Sequence, residues 1–464
     1  MLQTREFSPL TDDLITQIKG IVGAENCSTA QAQRELHSKD QSMFPPALPD
    51  VVVWVESTEQ VSDILKLANT HRIPVTPWGV GTSLEGNPMA IHGGILMSFQ
   101  KMADVVAVHA DDFQVTVQPG IGYKDLNEAL ARHGLFFPPD PGANATIGGM
   151  IANNAAGIRT VKYGATRDNV LSLQVVLADG RILQMGSRSV KQSSGYDLVH
   201  LIIGSEGTLG IVTEATLKLA PIAEHKIAVQ AVFETVAQAV ETVVAVRGSG
   251  LDPVALEFID THMARMMNSS PQVDLAERPQ LFMEFHATHE DALNQTIDFI
   301  TEICSEIGAT KLHATADTKE RANLWYARHH AFESFQRTHP GKRAYLNDVA
   351  VPISVYPELI AFIHNLRETG PLPAYMLGHA GDGNIHVIFP FGDDEEYKQA
   401  SDMNAQVVEK AISIGGTATG EHGVGIGKSR FMATEHGEAL DVMWAIKQTL
   451  DPNGILNPGK IFRD

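Results

Sequence analysis

Apolar and polar positions along the chain alternate with two periods, one of strands and one of helices. Residues 51–55 (VVVWV) form an unbroken apolar run, the pattern of a strand covered on both faces. Ser57-Thr-Glu-Gln60 follows with capping-box spacing. Val61, Ile64, Leu65 and Ala68 then recur at i, i+3, i+4 and i+7, which predicts an amphipathic helix. Residues 74–76 and 94–98 read as strands on either side of a glycine-rich loop. Phe113, Val115 and Val117 alternate with strand period, and Leu126, Ala129 and Leu130 return to the helical one. Runs at 171–177 and 181–185 flank Asp179-Gly180, a strong hairpin signal. Strands mixed with helices over 46–222, some of them antiparallel neighbours, predict an α+β domain. Residues 1–45 read as a helical lead-in that stops at Pro45-Pro46.

From about residue 225 the layout becomes strand (226–234), helix (236–246), strand (281–287) and helix (290–307). That order predicts a compact sheet-and-helix second domain. A helical stretch with Trp325 and Tyr326 follows, then two apolar strands near 375–389 and a helix near 395–413. Asp451-Pro-Asn-Gly454 and Asn457-Pro-Gly459 are turns. The domain plan is 1–45, 46–222, 223–420 and 421–464.

Composition narrows the classes of function. With 464 residues, 44% of them hydrophobic, the chain can bury a large core without disulfide or metal staples. Its 55 acidic against 35 basic residues, a net charge of -20, argue against a nucleic-acid partner and against strong binding to anionic lipid. Cys27 and Cys304 form no CxxC pair, which fits a reducing compartment. No run of 18 apolar residues occurs and the first residues have neither signal nor transit character. A cytoplasmic location is expected, with attachment to the inner face of a membrane as the variant of it.

Three segments have the composition of a surface for a large flat ligand with phosphates. Pro77-Trp-Gly79-Val-Gly81-Thr82-Ser83-Leu-Glu-Gly86 follows a strand, and its glycines let backbone N–H groups approach a phosphate. It lacks the GxGxxG spacing of a Rossmann loop. Pro141-Gly142-Ala-Asn-Ala-Thr146-Ile-Gly148-Gly149 runs on to Asn153-Asn154-Ala-Ala-Gly157, and Gly204-Ser-Glu206-Gly-Thr-Leu-Gly210-Ile211-Val212 has the same character. Three such loops favour a dinucleotide-sized cofactor. Gly423-Val-Gly-Ile-Gly427-Lys-Ser429 is a near miss to a Walker A loop, with His422 where the motif needs glycine.

The sharpest polar constellation is carboxy-terminal. Gly378-His379-Ala-Gly-Asp-Gly-Asn384-Ile-His386 sets two histidines about a glycine turn between two apolar strands, and Glu421-His422 lies among further glycines. Two histidines and a carboxylate form a usual set for a catalytic divalent metal, with Zn, Mn and Fe all compatible. Adjacent strand residues point oppositely, so both histidines can face one ion only across an irregular loop. Arg328, in a helical stretch, is a candidate guanidinium for a small carboxylate.

The stretches 76–86, 138–157, 163–170 and 204–221 resemble the FAD domain of the vanillyl-alcohol-oxidase type. Those at 378–386, 419–428 and 451–462 resemble its FAD-linked D-2-hydroxyacid dehydrogenase branch. That branch includes D-lactate and D-2-hydroxyglutarate dehydrogenases and the glycolate oxidase flavin subunit. Residues 327–336 and 348–354 look closest to the cytochrome-type D-lactate group. The resemblance implies a two-lobed FAD-binding domain over 46–222, a carboxy-terminal sheet-and-helix substrate cap with the metal site over 223–420, and a last segment, 421–464, that returns to the flavin. It implies FAD contacts from Thr76, Pro77, Gly79, Gly81, Thr82, Ser83, Pro141, Gly142, Thr146, Gly148, Gly149, Asn153, Gly157, Tyr163 and Gly164. Glu206, Gly210, Ile211, Val212, Asn384 and Asn457 complete that set. Thr82 stands where covalently flavinylated relatives often carry His, so non-covalent FAD is implied, and Trp78 stands where many relatives carry Arg. His379, His386 and Glu421 match the family's metal ligands, His422 its base and Arg328 its substrate-carboxylate arginine.

The expected reaction oxidises a small D-2-hydroxy acid, D-lactate first, to the 2-oxo acid by hydride transfer to flavin N5. Quinone, cytochrome c or an electron-transfer flavoprotein would take the electrons, and a homodimer is compatible. A glycolate oxidase subunit, a D-2-hydroxyglutarate dehydrogenase and a flavin-free metal hydrolase are the alternatives. Leu346 and Phe332 replace a Lys and a Thr of the hydroxyglutarate enzymes, which favours a short alkyl tail, while Lys342 and Arg343 are the nearby cations that could reverse that preference.

Overall fold

A computed structural model describes residues 6–463, which divide into two compact units. The first comprises 6–156, Gly164–Ile222 and 421–463; the second comprises Gly157–Tyr163 and Ala223–Gly420. Within the 46–222 stretch of the sequence reading, residues 157–163 thus group with the second unit.

In the first unit, Val51–Trp54, Ile95–Ser98 and Val75–Trp78 form a parallel sheet in that order, and Cys27–Ser28 adds antiparallel to Val51–Trp54. The helix Thr58–His71 is the crossover that parallel neighbours require. Ser57 Oγ accepts from the Gln60 N–H at 3.3 Å, as the capping-box spacing predicts, but Gln60 Oε1 reaches back to the N–H of Glu56 at 2.8 Å. Val61, Ile64, Leu65 and Ala68 are buried. Val75–Trp78 is the sheet edge, and the carboxy-terminal segment covers it. The Val75 N–H donates to Ile455 O, and the Asn457 N–H donates to Val75 O, both at 2.8 Å. A five-stranded antiparallel sheet runs Val105–His109, Gln114–Val117, Ile211–Lys218, Val170–Val176, Ile182–Gly186. Its last two strands are the hairpin signalled by Asp179-Gly180, with Gly180 at φ 83°.

In the second unit, seven antiparallel strands run Ala309–Thr315, His225–Phe233, Gln280–Ala287, Ala255–Ile259, Tyr375–Gly378, Asn384–Phe391, Arg343–Ala350. The strands Ala255–Ile259, Ala309–Thr315 and Arg343–Ala350 are additions to the sequence reading. One face carries Ile259, Phe282, Leu377 and Ile388, packed with Met263, Ala327, Ala331 and Phe335 from the helices Thr261–Met267, Thr318–His329 and Ala331–Thr338. The helices Val236–Gly248, Glu290–Ile307, Tyr356–Thr369 and Asp394–Ser413 serve the other face.

Candidate active site

Strand alternation decides which polar groups share a face. Glu257 is in register with Phe282, Asp348 with His386, and His386 with Leu377, so all of these belong to the face that carries Ile259. His379 lies just past the end of Tyr375–Gly378, with a 3-10 turn at Ala380–Asp382 and Gly383 at φ 78° carrying the chain into Asn384–Phe391. That irregular loop removes the parity problem. The His379 and His386 rings lie 5.2 Å apart with perpendicular planes, and ring nitrogens of the two come within 4.8 Å of each other.

Each histidine has a buried carboxylate beside it. His379 Nδ1 lies 2.7 Å from Glu257 Oε1, and Glu257 Oε2 accepts from Arg328 Nε at 2.7 Å. Glu257 is fully buried. Burial alone would push its carboxyl up, but His379 and Arg328 together hold it below its ordinary value. His386 Nδ1 lies 3.6 Å from Asp348 Oδ1, an electrostatic contact longer than a hydrogen bond. Asp348, also fully buried, accepts from Asn384 Nδ2 at 2.7 Å, Thr419 Oγ1 at 2.9 Å and the Gly420 N–H at 2.9 Å. A metal-ligating imidazole usually carries such a carboxylate on its other nitrogen, so the donor chemistry of this pair fits a divalent ion.

Arg328 reaches the same face from the helix Thr318–His329. Trp325, on the preceding turn, donates from Nε1 to Glu284 Oε2 at 2.9 Å and pins that helix to the strand Gln280–Ala287. With Arg328 Nε committed to Glu257, the terminal guanidinium nitrogens are the donors left to grip a carboxylate end-on. Asn384, read as a flavin contact, turns its amide to Asp348 and to Val349 O at 3.0 Å.

In the first unit the glycine loops are shaped by what a side chain would strike. A Cβ on Gly79 would collide with Thr146 Oγ1, and one on Gly148 with Pro119. Thr146 caps the short helix Ile147–Asn153 and accepts from the Gly149 N–H at 3.3 Å. Gly79, Gly81, Thr82, Ser83, Gly148 and Asn153 are partly exposed and Gly142 and Gly149 exposed, an accessible surface of small groups that fits a flat cofactor with phosphates. Trp78 is buried with Val52 and Leu96.

Glu206 ties the carboxy-terminal loop into this unit. Its buried carboxylate accepts from Asn87 Nδ2 at 2.6 Å and from the N–H groups of Val424 and Gly425 at 2.6 and 2.9 Å. Burial drives this carboxyl up, against the pull of those donors. Asn457 Nδ2 donates to Asn87 O at 3.0 Å and to Glu206 O at 2.7 Å. Asn153 Nδ2 donates to His422 O at 3.3 Å, and His422 Nε2 lies 3.8 Å from Glu421 Oε1. Of the residues named from sequence, the second unit brings together His379, His386 and Arg328. Glu421 and His422 belong to the first unit, and Gly157 and Tyr163 to the second. Sequence reading passed over Glu257 and gave Asp348 no role. The available signal was an acidic residue inside an apolar strand, since an unpaired charge there is too costly to persist.

Comparison with known proteins agrees with this architecture. Residues 49–186 match the FAD binding domain model, and residues 222–461 match that of the carboxy-terminal domain of FAD linked oxidases. The chain is 40% identical over 462 residues to a mitochondrial D-lactate dehydrogenase [cytochrome] of Arabidopsis thaliana, covering 98% of this chain and 81% of the relative. It is 36% identical over 461 residues to glycolate oxidase subunit GlcD of Bacillus subtilis, covering 98% and 97%. The structure of p-cresol methylhydroxylase with substrate bound shares the fold, with a TM-score of 0.80 at 16% identity over 97% of this chain and 96% of that one. The fold is thus of the vanillyl-alcohol-oxidase type. The chain belongs to the family of FAD-linked oxidoreductases that contains the D-lactate dehydrogenases. Among the described residues no helix is long and apolar enough to cross a membrane.

Proposed function

We propose that the protein is an FAD- and divalent-metal-dependent dehydrogenase that oxidises a small D-2-hydroxy acid, D-lactate first, to the 2-oxo acid. The observation that carries this reading is the sheet face on which two carboxylate-backed histidines, 379 and 386, stand with Arg328. A 2-hydroxy acid offers one hydroxyl and one carboxylate, and these groups match that inventory. FAD, held non-covalently, supplies the hydride acceptor, and the ion, with Glu421 as third ligand, supplies a Lewis acid. Arg328 holds the substrate carboxylate through its terminal N–H groups. His422 takes the hydroxyl proton, a task for which imidazole is the usual general base near neutral pH. The glycine loops of the first unit hold the flavin.

The tail preference follows from charges already committed. Lys342 Nζ pairs with Glu396 Oε1 at 2.8 Å, and the Arg343 guanidinium lies over the Phe391 ring at 4.6 Å. Leu346 packs against the apolar cluster of Ile388 and Leu377. With both nearby cations engaged, a second substrate carboxylate would lack a partner, whereas a methyl or ethyl gains about 0.8 kcal/mol per buried CH₂. The relative GlcD supports a second reading, a subunit that works only with partner chains. The deciding experiment is anaerobic reduction of the purified single chain by D-lactate, D-2-hydroxybutyrate and D-2-hydroxyglutarate, followed by flavin absorbance. Bleaching by the first two and slow or no bleaching by the third is the expected result. A preference for the dicarboxylate overturns the substrate assignment, and no bleaching by any of them favours the subunit.

A further inference from the structure

We propose that Glu257 is a positioning residue that couples the two halves of the substrate grip, fixing the metal-facing imidazole with one oxygen and the carboxylate-facing guanidinium with the other. This rests on the roles just proposed for His379 and Arg328. Glu257 sits in the strand Ala255–Ile259 (ALEFI), between Gln280–Ala287 and Tyr375–Gly378. Such a position is normally apolar, and a buried carboxylate survives there only if its acceptors are used. Both are used, at 2.7 Å each, and by donors of different function.

An ionised carboxylate has only acceptors to offer. The hydrogen between Glu257 Oε1 and His379 therefore resides on Nδ1, which leaves the Nε2 lone pair of the neutral imidazole for an ion. The hydrogen between Oε2 and Arg328 resides on Nε, which sets the plane of the guanidinium and the direction of its terminal donors. Tilting the carboxylate moves both. The register of one strand thus sets the spacing between metal and carboxylate clamp, and either half should sense the loss of the other.

Glu257→Gln discriminates this from simple charge balance. The glutamine has nearly the same shape, but it has one acceptor and one donor group where two donors face it. If its oxygen serves Arg328, its amide faces His379 Nδ1 and favours the Nε2–H tautomer, which cannot ligate. If it turns over, Arg328 faces a donor.

The test uses the flavin-loaded protein, with flavin content and circular dichroism as controls on folding. Mn²⁺ affinity is read from the spectrum of the free ion. Affinity for propionate, which has no hydroxyl to oxidise, is read from its perturbation of flavin absorbance after the metal has been stripped. In Glu257→Gln, Mn²⁺ affinity should fall by about 10–100-fold, with propionate binding weakened as well. Should the variant fold poorly, Arg328→Ala serves instead. Arg328 is no ligand, yet its removal should change Mn²⁺ affinity by about fivefold or more through Glu257. Wild-type Mn²⁺ and propionate affinities in Glu257→Gln, or wild-type Mn²⁺ affinity in Arg328→Ala, overturn the coupling alone. A wild-type protein that binds neither probe overturns the underlying reading of the site.

Discussion

Replacing His422 with Ala removes an imidazole while keeping the backbone carbonyl that accepts from Asn153. Flavin content should therefore hold, and the rate of flavin reduction by D-lactate should fall by about 10² or more, the usual scale for losing a general base. Stopped-flow absorbance measures it directly; reduction at the wild-type rate would remove His422 from the mechanism. Gly79→Ala makes the opposite separation. Its Cβ would strike Thr146 Oγ1, the cap of Ile147–Asn153, so either Thr146 leaves its cap or the two glycine loops part. The purified variant should show a lower ratio of flavin to protein absorbance, with metal binding kept. At this scale the sequence revealed residues whose neighbours are unusual: His379 and His386 stand out because glycines surround them. Glu257 stayed hidden because its partners lie 71 and 122 positions away, and no local pattern records a pairing of that span.

Single elements were legible where one face is solvated or where an apolar run is unbroken. The helix Glu290–Ile307 was read to the residue, since its buried Leu293, Ile300 and Cys304 contrast with charged neighbours. The strand Ala255–Ile259 was missed because Glu257 breaks its apolar run while full burial leaves no alternation to mark it. The next element offers a test. Asp260 caps the helix Thr261–Met267, accepting from the Met263 N–H at 2.7 Å and from Arg367 Nη1 at 2.5 Å. Asp260→Ala should cost about 3 kcal/mol, because it takes from the buried Arg367 side chain its buried carboxylate, leaving only the exposed Glu368 at 3.1 Å, and also loses a cap. Urea denaturation reads this as a lower midpoint. Burial also pushes the Asp260 carboxyl up to about 6, against the pull of the Met263 N–H and Arg367. An unfolded Asp titrates near 3.9, so between the two values the folded chain holds the extra proton. The stability this confers is complete below about pH 4 and lost as pH rises through about 6. Asp260→Asn does not titrate, so the wild type's midpoint relative to that variant should drop between pH 4.5 and 7. A constant difference across that range would refute the shift.

For the whole molecule, the sequence reading gave two kinds of domain and a last segment, 421–464, that returns to the flavin, but not the strand edge on which that segment docks. Turn-rich stretches such as 451–459 carry no period from which a docking partner can be read. In the structure, Ile455 and Asn457 hydrogen-bond to Val75, and the buried Lys460 donates to Met89 O at 2.7 Å. Removing residues 455–464 should uncover the edge of the parallel sheet and withdraw the support of Asn87 and Glu206. The expected product has little bound flavin and a second unit that still gives its antiparallel-sheet circular dichroism. Normal flavin content after truncation would contradict this.

That discontinuity has a consequence for how the protein is made. Residues 6–222 leave the ribosome before any of 421–463 exists, and at ordinary translation speeds the interval is about 10–40 s. Over that time the Val75–Trp78 edge has no cover, while 223–420 emerges as a stretch that holds nearly all of the second unit. Synthesis thus imposes an order in which the cap folds before the flavin unit is finished. The expected outcome is that FAD binds only once 421–463 is in place, so a nascent chain stalled at residue 420 should emerge colourless.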